Sequence, residues 1–251
     1  MRSIREDTSM HRPLLEVCVE SFADAARAVE AGADRIEYCS ALALGGLTPT
    51  PGALAQIKGI SAPCMVMIRP RPGGFDYDAG ELAIMTHEIA LARAAGAVGV
   101  VFGACDHDKH LNVAALRDLM AACDGLQTTL HRVFDEVPDP FDALEQAIEI
   151  GFDRILTSGG KADAKSGADQ IAALIKQAVG RIGILPGAGV TAFNAAEILA
   201  TTGAAELHAS CKMTNAETGG TRVADGRTRV DVSRVADLVA VMDPTANQRL
   251  R

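Results

Sequence analysis

Short apolar runs alternate with helical patterns along most of the chain. In the stretch 14–39, two apolar runs at 14–19 and 35–39 flank an alanine-rich segment whose apolar residues recur at helical spacing. This pattern predicts a right-handed unit of strand, helix and parallel strand. The same pattern recurs along the sequence, and it predicts eight strands, at residues 14–19, 35–39, 64–68, 98–102, 127–133, 154–157, 182–185 and 206–209.

Helix signals fill the segments between these strands. Thr50 fits the N-cap of one helix, and Asn112 fits the N-cap of a later one. Further helices are predicted at 81–95, ending at Gly96, and at 232–242. Eight strands that alternate with helices predict an α/β fold, a (β/α)8 TIM barrel, with a doubly wound open sheet as the alternative.

The chain reads as one domain. Its 251 residues fit a single large α/β domain, and no linker or change in composition divides them. We therefore expect a TIM-barrel domain at 14–243, preceded by a flexible lead-in at 1–13 and followed by a C-terminal tail at 244–251.

Composition argues against several classes of function. A formal net charge of −8 argues against a nucleic-acid-binding protein or a binder of anionic membranes, since both need a basic face. No apolar run reaches the roughly 20 residues of a membrane span, and the first residues lack the hydrophobic segment of a secretion signal. The six cysteines are scattered without a disulfide framework, which favours a reducing, cytoplasmic location.

The predicted barrel brings many polar side chains to one end. In this fold the carboxyl ends of the strands form the functional face. Side chains two apart on a strand share a face, so Glu16 and Cys18 point the same way, as do Glu37 and Cys39 on the neighbouring strand. The other polar residues at these strand ends are Arg69, Arg71, Asp106, His131, Arg132, Asp135, Ser158, His208 and Ser210.

Cys18 and Cys39 form a candidate metal site. Adjacent parallel strands lie about 4.8 Å apart, so the two sulfurs can reach one ion. Thiolates are soft ligands that favour Cu(I), with Zn²⁺ as a competitor. Burial as small hydrophobic side chains is the alternative. That alternative is the interpretation we give to the remaining cysteines, which are Cys64, Cys105, Cys123 and Cys211.

Carboxylates within nearly apolar strands indicate either acid–base chemistry or buried ion pairs. Near a barrel axis, Glu16 and Glu37 must be solvated, paired or proton-sharing, and two such groups can serve as general acid and base. The alternative is an ion-pair layer with Arg69 or Arg132 that only closes the barrel. The further candidates for catalysis are His131 and Asp135.

Arginines and glycine-rich turns predict a site for a small anion. Backbone N–H groups of the TSGG and PGAG turns after strands six and seven can face an anion, and TIM barrels often hold phosphate there. No lysine lies inside a predicted strand, which disfavours a Schiff-base aldolase. The turn at 106–110, rich in His and Asp, is predicted to be a solvated loop. The candidate anion-binding residues are Arg69, Arg71, Arg132, Ser158, Gly159, Gly187, Gly189 and Ser210.

The segments that carry these residues resemble the CutC family, whose members are called copper homeostasis proteins. The resemblance implies a cytoplasmic TIM barrel that handles copper and self-associates, as a dimer or a tetramer. It also implies that Cys18 and Cys39 correspond to the two cysteines proposed to bind Cu(I) in the family. The matching segments keep their order from residue 14 to residue 210, and they read LEVCVESFADAARAVEAGADRIEYCSALALGGLTPTPG, MIRPR, GVVFGA, LHRVFDEVPDP, RILTSGG, ILPGAGV and ELHAS.

Two loops depart from the family pattern. An extra proline alters the rim loop at 71–76, which reads RPGGFD, and Gly-Ala-Gly at 187–189 replaces a run of three glycines. The extra proline changes the geometry expected of the rim loop, whereas the second departure is mild enough for an anion-binding loop to tolerate.

The sequence therefore leaves two functional hypotheses. The first is a cytosolic copper-binding protein that holds Cu(I) between two thiolates at the mouth of the barrel. The alternative is a TIM-barrel enzyme of unassigned reaction that acts on a small anionic or phosphorylated metabolite by carboxylate and histidine acid–base chemistry. The arginines, histidines and carboxylates of the mouth favour the alternative, because a two-thiolate site does not require them.

Overall fold

The computed structural model describes residues 12–213 and 229–243, and within them eight strands alternate with eight α-helices. The strands are β1 Leu14–Val19, β2 Arg35–Tyr38, β3 Cys64–Met67, β4 Gly99–Phe102, β5 Gln127–Leu130, β6 Arg154–Thr157, β7 Gly183–Pro186 and β8 Glu206–Ala209. The α-helices are α1 Phe22–Glu30, α2 Pro51–Leu54, α3 Ala79–Ala95, α4 Val113–Ala122, α5 Pro140–Ile150, α6 Ala168–Ala178, α7 Ala195–Thr202 and α8 Val232–Met242.

The sheet curls into a nearly closed barrel. All paired strands are parallel, and their order is β7-β6-β5-β4-β3-β2-β1-β8. Strands β7 and β8 lie beside each other, which brings the two ends of the sheet together. The predicted (β/α)8 fold class is therefore confirmed, and the doubly wound open sheet is excluded.

Alternation along the strands divides the interior into two parts. Apolar side chains on the outer face of the barrel, such as Leu15, Val17 and Ile36, are fully buried against the surrounding helices. Inside the barrel, Met65 and Val101 belong to a separate small apolar cluster. On β1, β2 and β8 the inner face carries buried polar residues, among them Glu16, Arg35, Glu37 and His208, which belong to the site described below.

The fifth strand is shorter than predicted. We expected it to extend over 127–133, but β5 ends at Leu130 and a 3₁₀ helix follows at Arg132–Asp135. The ring of His131 accepts the N–H of Val133, which turns the chain out of the strand. Strand alternation stops at this point, so His131 and Arg132 both reach the mouth of the barrel.

Helix boundaries follow the predicted caps. Thr50 and Asn112 accept backbone N–H groups at the starts of α2 and α4, as expected. Helix α3 begins at Ala79, two residues before the predicted start, because Asp78 forms a capping box with Glu81.

Two predicted segments lie wholly or almost wholly outside the residues that the structure describes. The lead-in at 1–13 lies outside them except for residues 12 and 13, and the tail at 244–251 lies outside them entirely. In residues 12–213 and 229–243, no helix combines the length and the apolar character that crossing a lipid bilayer requires.

Candidate metal centre at the barrel mouth

Strand register decides which polar side chains meet inside the barrel. Glu16 on β1 lies opposite Arg35 on β2 and opposite His208 on β8. Two residues further along β1, Cys18 lies opposite Glu37. The inner face of β1, β2 and β8 thus presents acids, bases and a thiol to one another.

A buried ion-pair layer occupies the floor of this site. The Arg35 guanidinium donates to Glu16 through Nε, and Arg35 Nη2 lies 2.6 Å from Glu206 Oε2. Arg154 adds a second contact to Glu206, with 3.4 Å between Nε and Oε1. Glu16 is therefore in an ion-pair layer of the kind considered from the sequence. Its arginine partner is Arg35, because the mouth arginines bind elsewhere.

Cys18, Glu37 and His208 form the candidate metal-binding group directly above this floor. One ligand atom from each residue lies within 4.8 Å of the other two, and all three side chains are buried. A thiolate and an imidazole are donors that suit copper and zinc, whereas a carboxylate is a harder ligand. The residues present therefore fit a soft metal ion.

His208 is oriented by Glu16. Its Nδ1 lies 2.8 Å from Glu16 Oε1, and its Nε2 lies 3.8 Å from Glu37 Oε2. Burial lowers the pKa of His208, but the negative groups of Cys18, Glu37 and Glu16 outweigh burial and hold this pKa well above its usual value. Burial raises the pKa of Glu16, but the hydrogen bond to His208 and the charge of Arg35 outweigh it and lower the pKa to about 2. A carboxylate behind a ring nitrogen is the usual way proteins orient a ligating histidine.

Cys39 contacts the group through Glu37. Its Sγ lies 3.4 Å from Glu37 Oε2, and it packs with Met65 and Met67 in the small apolar cluster. Burial, reinforced by the negative charges of Glu37 and Cys18, raises the pKa of the Cys39 thiol well above its usual value. Burial also raises the pKa of Glu37. The predicted pairing of Cys18 with Cys39 at a metal stays a prediction, since the ligand group itself contains Cys18 and not Cys39.

Asp135 sits inside the glycine-rich turn after β6. Its carboxylate accepts the backbone N–H groups of Ser158 and Gly160, at 3.0 and 3.1 Å, and the hydroxyl of Thr157 at 2.5 Å. Arg132 Nε donates to the same carboxylate at 2.7 Å. An internal anion thus occupies the turn in which Ser158 and Gly159 were predicted to bind an external one.

The other predicted anion-binding residues are spread around the mouth. Gly187 makes room for the site, since a Cβ there would lie 2.5 Å from Leu156 Cδ1 and 3.3 Å from His208 Cβ. Gly189 and Ser210 line a cavity of about 590 Å³ beside the mouth. Ser210 also lines the smaller mouth cavity, together with Arg69 and Arg132. Of the predicted anion-binding residues, these three share one cavity.

Arg69 and Arg71 hold the rim loop together. Arg69 donates to the carbonyl oxygens of Leu44 and Gly73, at 2.9 and 2.7 Å, and its guanidinium stacks over Phe75. Arg71 pairs with Glu81 outside the barrel. The loop with the extra proline is therefore folded by arginine-to-carbonyl bonds, and of the two arginines only Arg69 lines the mouth cavity.

A cavity of about 170 Å³ lies above the candidate metal-binding group. Cys18, Glu37 and His208 line it on one side, and His131 lines it as well. The solvated loop predicted at 106–110 does not line this cavity, and residues 107–110 are exposed.

The sequence interpretation missed four residues of the site. They are Arg35, Arg154 and Glu206 in the ion-pair layer and Lys212 in the lining of the mouth cavity. Arg35 had a usable signal, because it shares a strand face with Glu37 and Cys39.

His131 is a buried neutral imidazole, which makes stability depend on pH. Burial and the positive charge of Arg69 lower the pKa of His131 to about 3. Between the ordinary pKa of 6.5 and this value, the unfolded chain binds a proton that the folded chain does not. The stability that neutral His131 contributes to the folded protein is therefore complete above pH 6.5, and it is lost progressively as the pH falls below that value. At pH 5.5 we expect a loss of about 1.4 kcal/mol in the free energy of unfolding.

Urea denaturation of the native chain and of His131→Phe, each at pH 8 and pH 5.5, measures this loss. Other titrating groups act equally on both proteins, so the difference between the two pH dependences isolates His131. Equal pH dependences would show that His131 is protonated in the folded protein.

The chain is similar to known proteins in both sequence and fold. A family model described as the CutC family matches residues 13–213. Over 202 residues the chain is 50% identical to a family protein CutC of Caulobacter vibrioides, covering 80% of this chain and 82% of that protein. Over 202 residues it is 46% identical to the Homo sapiens copper homeostasis protein cutC homolog, covering 80% of this chain and 74% of that protein. The crystal structure of a CutC protein from Streptococcus agalactiae matches with a TM-score of 0.75 and 34% identity, over 78% of this chain and 97% of that chain.

Proposed function

The chain belongs to the CutC family, and from the buried group at its barrel mouth we propose that it binds Cu(I) and acts in copper homeostasis. Cys18 and His208 are the principal ligands in this proposal. Copper is the cargo of the site, and its binding requires no further cofactor. The human relative carries copper homeostasis in its name, which supports this role for the chain.

The mutual approach of Cys18, Glu37 and His208 is the observation that carries the proposal. Their ligand atoms lie within 4.8 Å of one another inside the barrel, and all three side chains are buried. Cu(I) prefers the thiolate and the imidazole over the carboxylate. Glu37 therefore serves mainly as a buried acceptor beside His208, with 3.8 Å between Glu37 Oε2 and His208 Nε2.

Glu16 prepares His208 for this role. By binding Nδ1, it leaves Nε2 directed toward Cys18 and Glu37. The ion pair with Arg35 fixes the Glu16 carboxylate in turn. This chain of contacts supports a preformed copper site, because the imidazole of His208 is held by a buried carboxylate.

An anaerobic Cu(I) titration against a competing chelator tests the proposal. We expect the native chain to bind one Cu(I) tightly and the double variant Cys18→Ser/Cys39→Ser to lose tight binding. The matched control is Cys105→Ser/Cys123→Ser, which changes two other buried free cysteines and should bind like the native chain. Unchanged affinity in Cys18→Ser/Cys39→Ser would refute the copper site.

The family resemblance also suggests a setting for this function. We place the protein in the cytoplasm as a homo-oligomer, and both statements stay predictions. Oligomerisation is not needed for copper binding, because all three residues of the candidate group come from one chain.

A further inference from the structure

Two buried polar atoms at the mouth cavity have no hydrogen-bond partner among residues 12–213 and 229–243, the part of the chain that the structure describes. They are Glu37 Oε1 and His131 Nε2, and both side chains are only 3% exposed. Leaving a buried donor or acceptor unpaired costs about 1–3 kcal/mol. Native proteins contain few such groups, and each calls for a bound water or ion or for a functional role. Both residues line the same cavity of about 170 Å³, so one bound molecule can satisfy both.

The hydrogen-bonding sense of each atom follows from its surroundings. His131 Nδ1 accepts the Val133 N–H at 3.2 Å, so Nε2 carries the hydrogen of this neutral ring and is a donor. Gly103 lies against the Nδ1 edge, where a Cβ would come within 2.7 Å of the nitrogen. Glu37 Oε1, in contrast, offers lone pairs to a donor on the ligand.

Positive groups border the same space. Arg132 and Lys212 line both this cavity and the adjoining cavity of about 590 Å³. They therefore stand where the two cavities meet. Arg132 is held there by Asp135 and by the Ser158 hydroxyl, 2.7 and 2.9 Å away. A ligand that enters the smaller cavity thus passes two cationic side chains.

The size of the cavity limits the ligand. At roughly 30 Å³ per water molecule, it holds about six waters, and it is smaller than the 300–1,000 Å³ typical of sites for drug-sized molecules. A molecule of a few carbon atoms fits this space.

From these observations we infer that the mouth cavity binds a small organic anion that carries a hydroxyl group. The anionic group lies near Arg132 and Lys212 and accepts the hydrogen of His131 Nε2, while the hydroxyl donates to Glu37 Oε1. This binding site goes beyond copper and does not rest on copper binding. The arrangement also places Glu37 beside the bound hydroxyl, where an acid–base group of an enzyme would lie.

Thermal unfolding of the full chain, with a chelator present to exclude metal, tests this inference. The probes are lactate and glycerate, which carry both groups, propionate, which lacks the hydroxyl, glycerol, which lacks the charge, and inorganic phosphate. A ligand that binds only the folded state raises the melting temperature. We expect at least one hydroxy acid to raise it by about 3 °C at ten times its Kd, and propionate and glycerol to leave it unchanged.

Variants test whether the rise in melting temperature comes from a ligand bound in the mouth cavity. His131→Phe and Lys212→Met should each abolish it, whereas His107→Phe and Lys176→Met, at exposed positions, should keep it. The chelator excludes metal from every sample, so failure of the copper site leaves this result intact. An equal shift with phosphate or propionate would mean an adventitious ion only. That outcome, no shift with either hydroxy acid, or a shift that His131→Phe retains would overturn the inference.

Discussion

Replacing Arg35 with methionine should lower the free energy of unfolding by about 3–5 kcal/mol, the cost of removing one partner from a buried ion pair. Arg35 is 3% exposed and contacts both Glu16 and Glu206. Without the guanidinium, the Glu16 carboxylate keeps His208 as its positive neighbour among the described residues. Methionine replaces the volume but not the charge, so the expected loss comes mainly from the uncompensated carboxylates. Urea denaturation measures it.

A surface ion pair provides the matched control. Arg181 pairs with Glu145 at 2.7 Å, but both side chains are more than a third exposed. Arg181→Met should therefore cost no more than about 1 kcal/mol. Adding Glu16→Gln to Arg35→Met should recover part of the loss, because it removes a buried charge that has lost its partner. A loss in Arg35→Met as small as that in Arg181→Met would show that the floor network does not stabilise the barrel.

Cys18→Ser and His208→Gln should each weaken Cu(I) binding by at least about 100-fold. Removing an outer partner of a metal ligand typically costs 10- to 100-fold in affinity, so removing a ligand itself should reach or exceed the upper end. Glu16→Gln, which changes the partner of His208 Nδ1, should fall within that range. Competition against a Cu(I) chelator measures all three affinities.

Cys39→Ser distinguishes the two thiols. The Cys39 thiol contacts Glu37 and lies outside the group of mutually close ligands. We expect its replacement to cost less than about tenfold, comparable to a change in an outer partner. Equal losses in Cys18→Ser and Cys39→Ser, with full affinity in His208→Gln, would instead support a two-thiolate site.

Much of this architecture could be predicted because it depends on local periodicity. Apolar runs and helix caps located all eight strands to within three residues at each end. Alternation with period two also predicted that Glu16 and Cys18 share a face, and that Glu37 and Cys39 do. Both pairs point into the barrel, as expected.

The pairing of residues across strands could not be predicted, because it depends on register. Strands in a barrel tilt, so neighbouring strands are staggered. Cys18 consequently lies opposite Glu37 rather than opposite Cys39. For the same reason, the contact between Glu16 and His208 could not be predicted. The two residues are far apart in sequence but adjacent across β1 and β8.

Loop chemistry was the other limit. A glycine-rich turn after a barrel strand is compatible with an external anion or with a carboxylate of the protein. Here Asp135 reaches the turn from the preceding 3₁₀ helix and accepts its N–H groups. The sequence spacing between Asp135 and Ser158 carries no sign of this contact, since it forms only when β5 and β6 pair.

X-ray absorption at the copper edge of the Cu(I)-loaded protein, with and without Cys39→Ser, tests the central claim most directly. The proposed site predicts sulfur together with imidazole in the copper coordination shell, and a spectrum that Cys39→Ser leaves unchanged. A shell of two sulfurs without imidazole, from which Cys39→Ser removes one sulfur, would contradict a site built on Cys18 and His208.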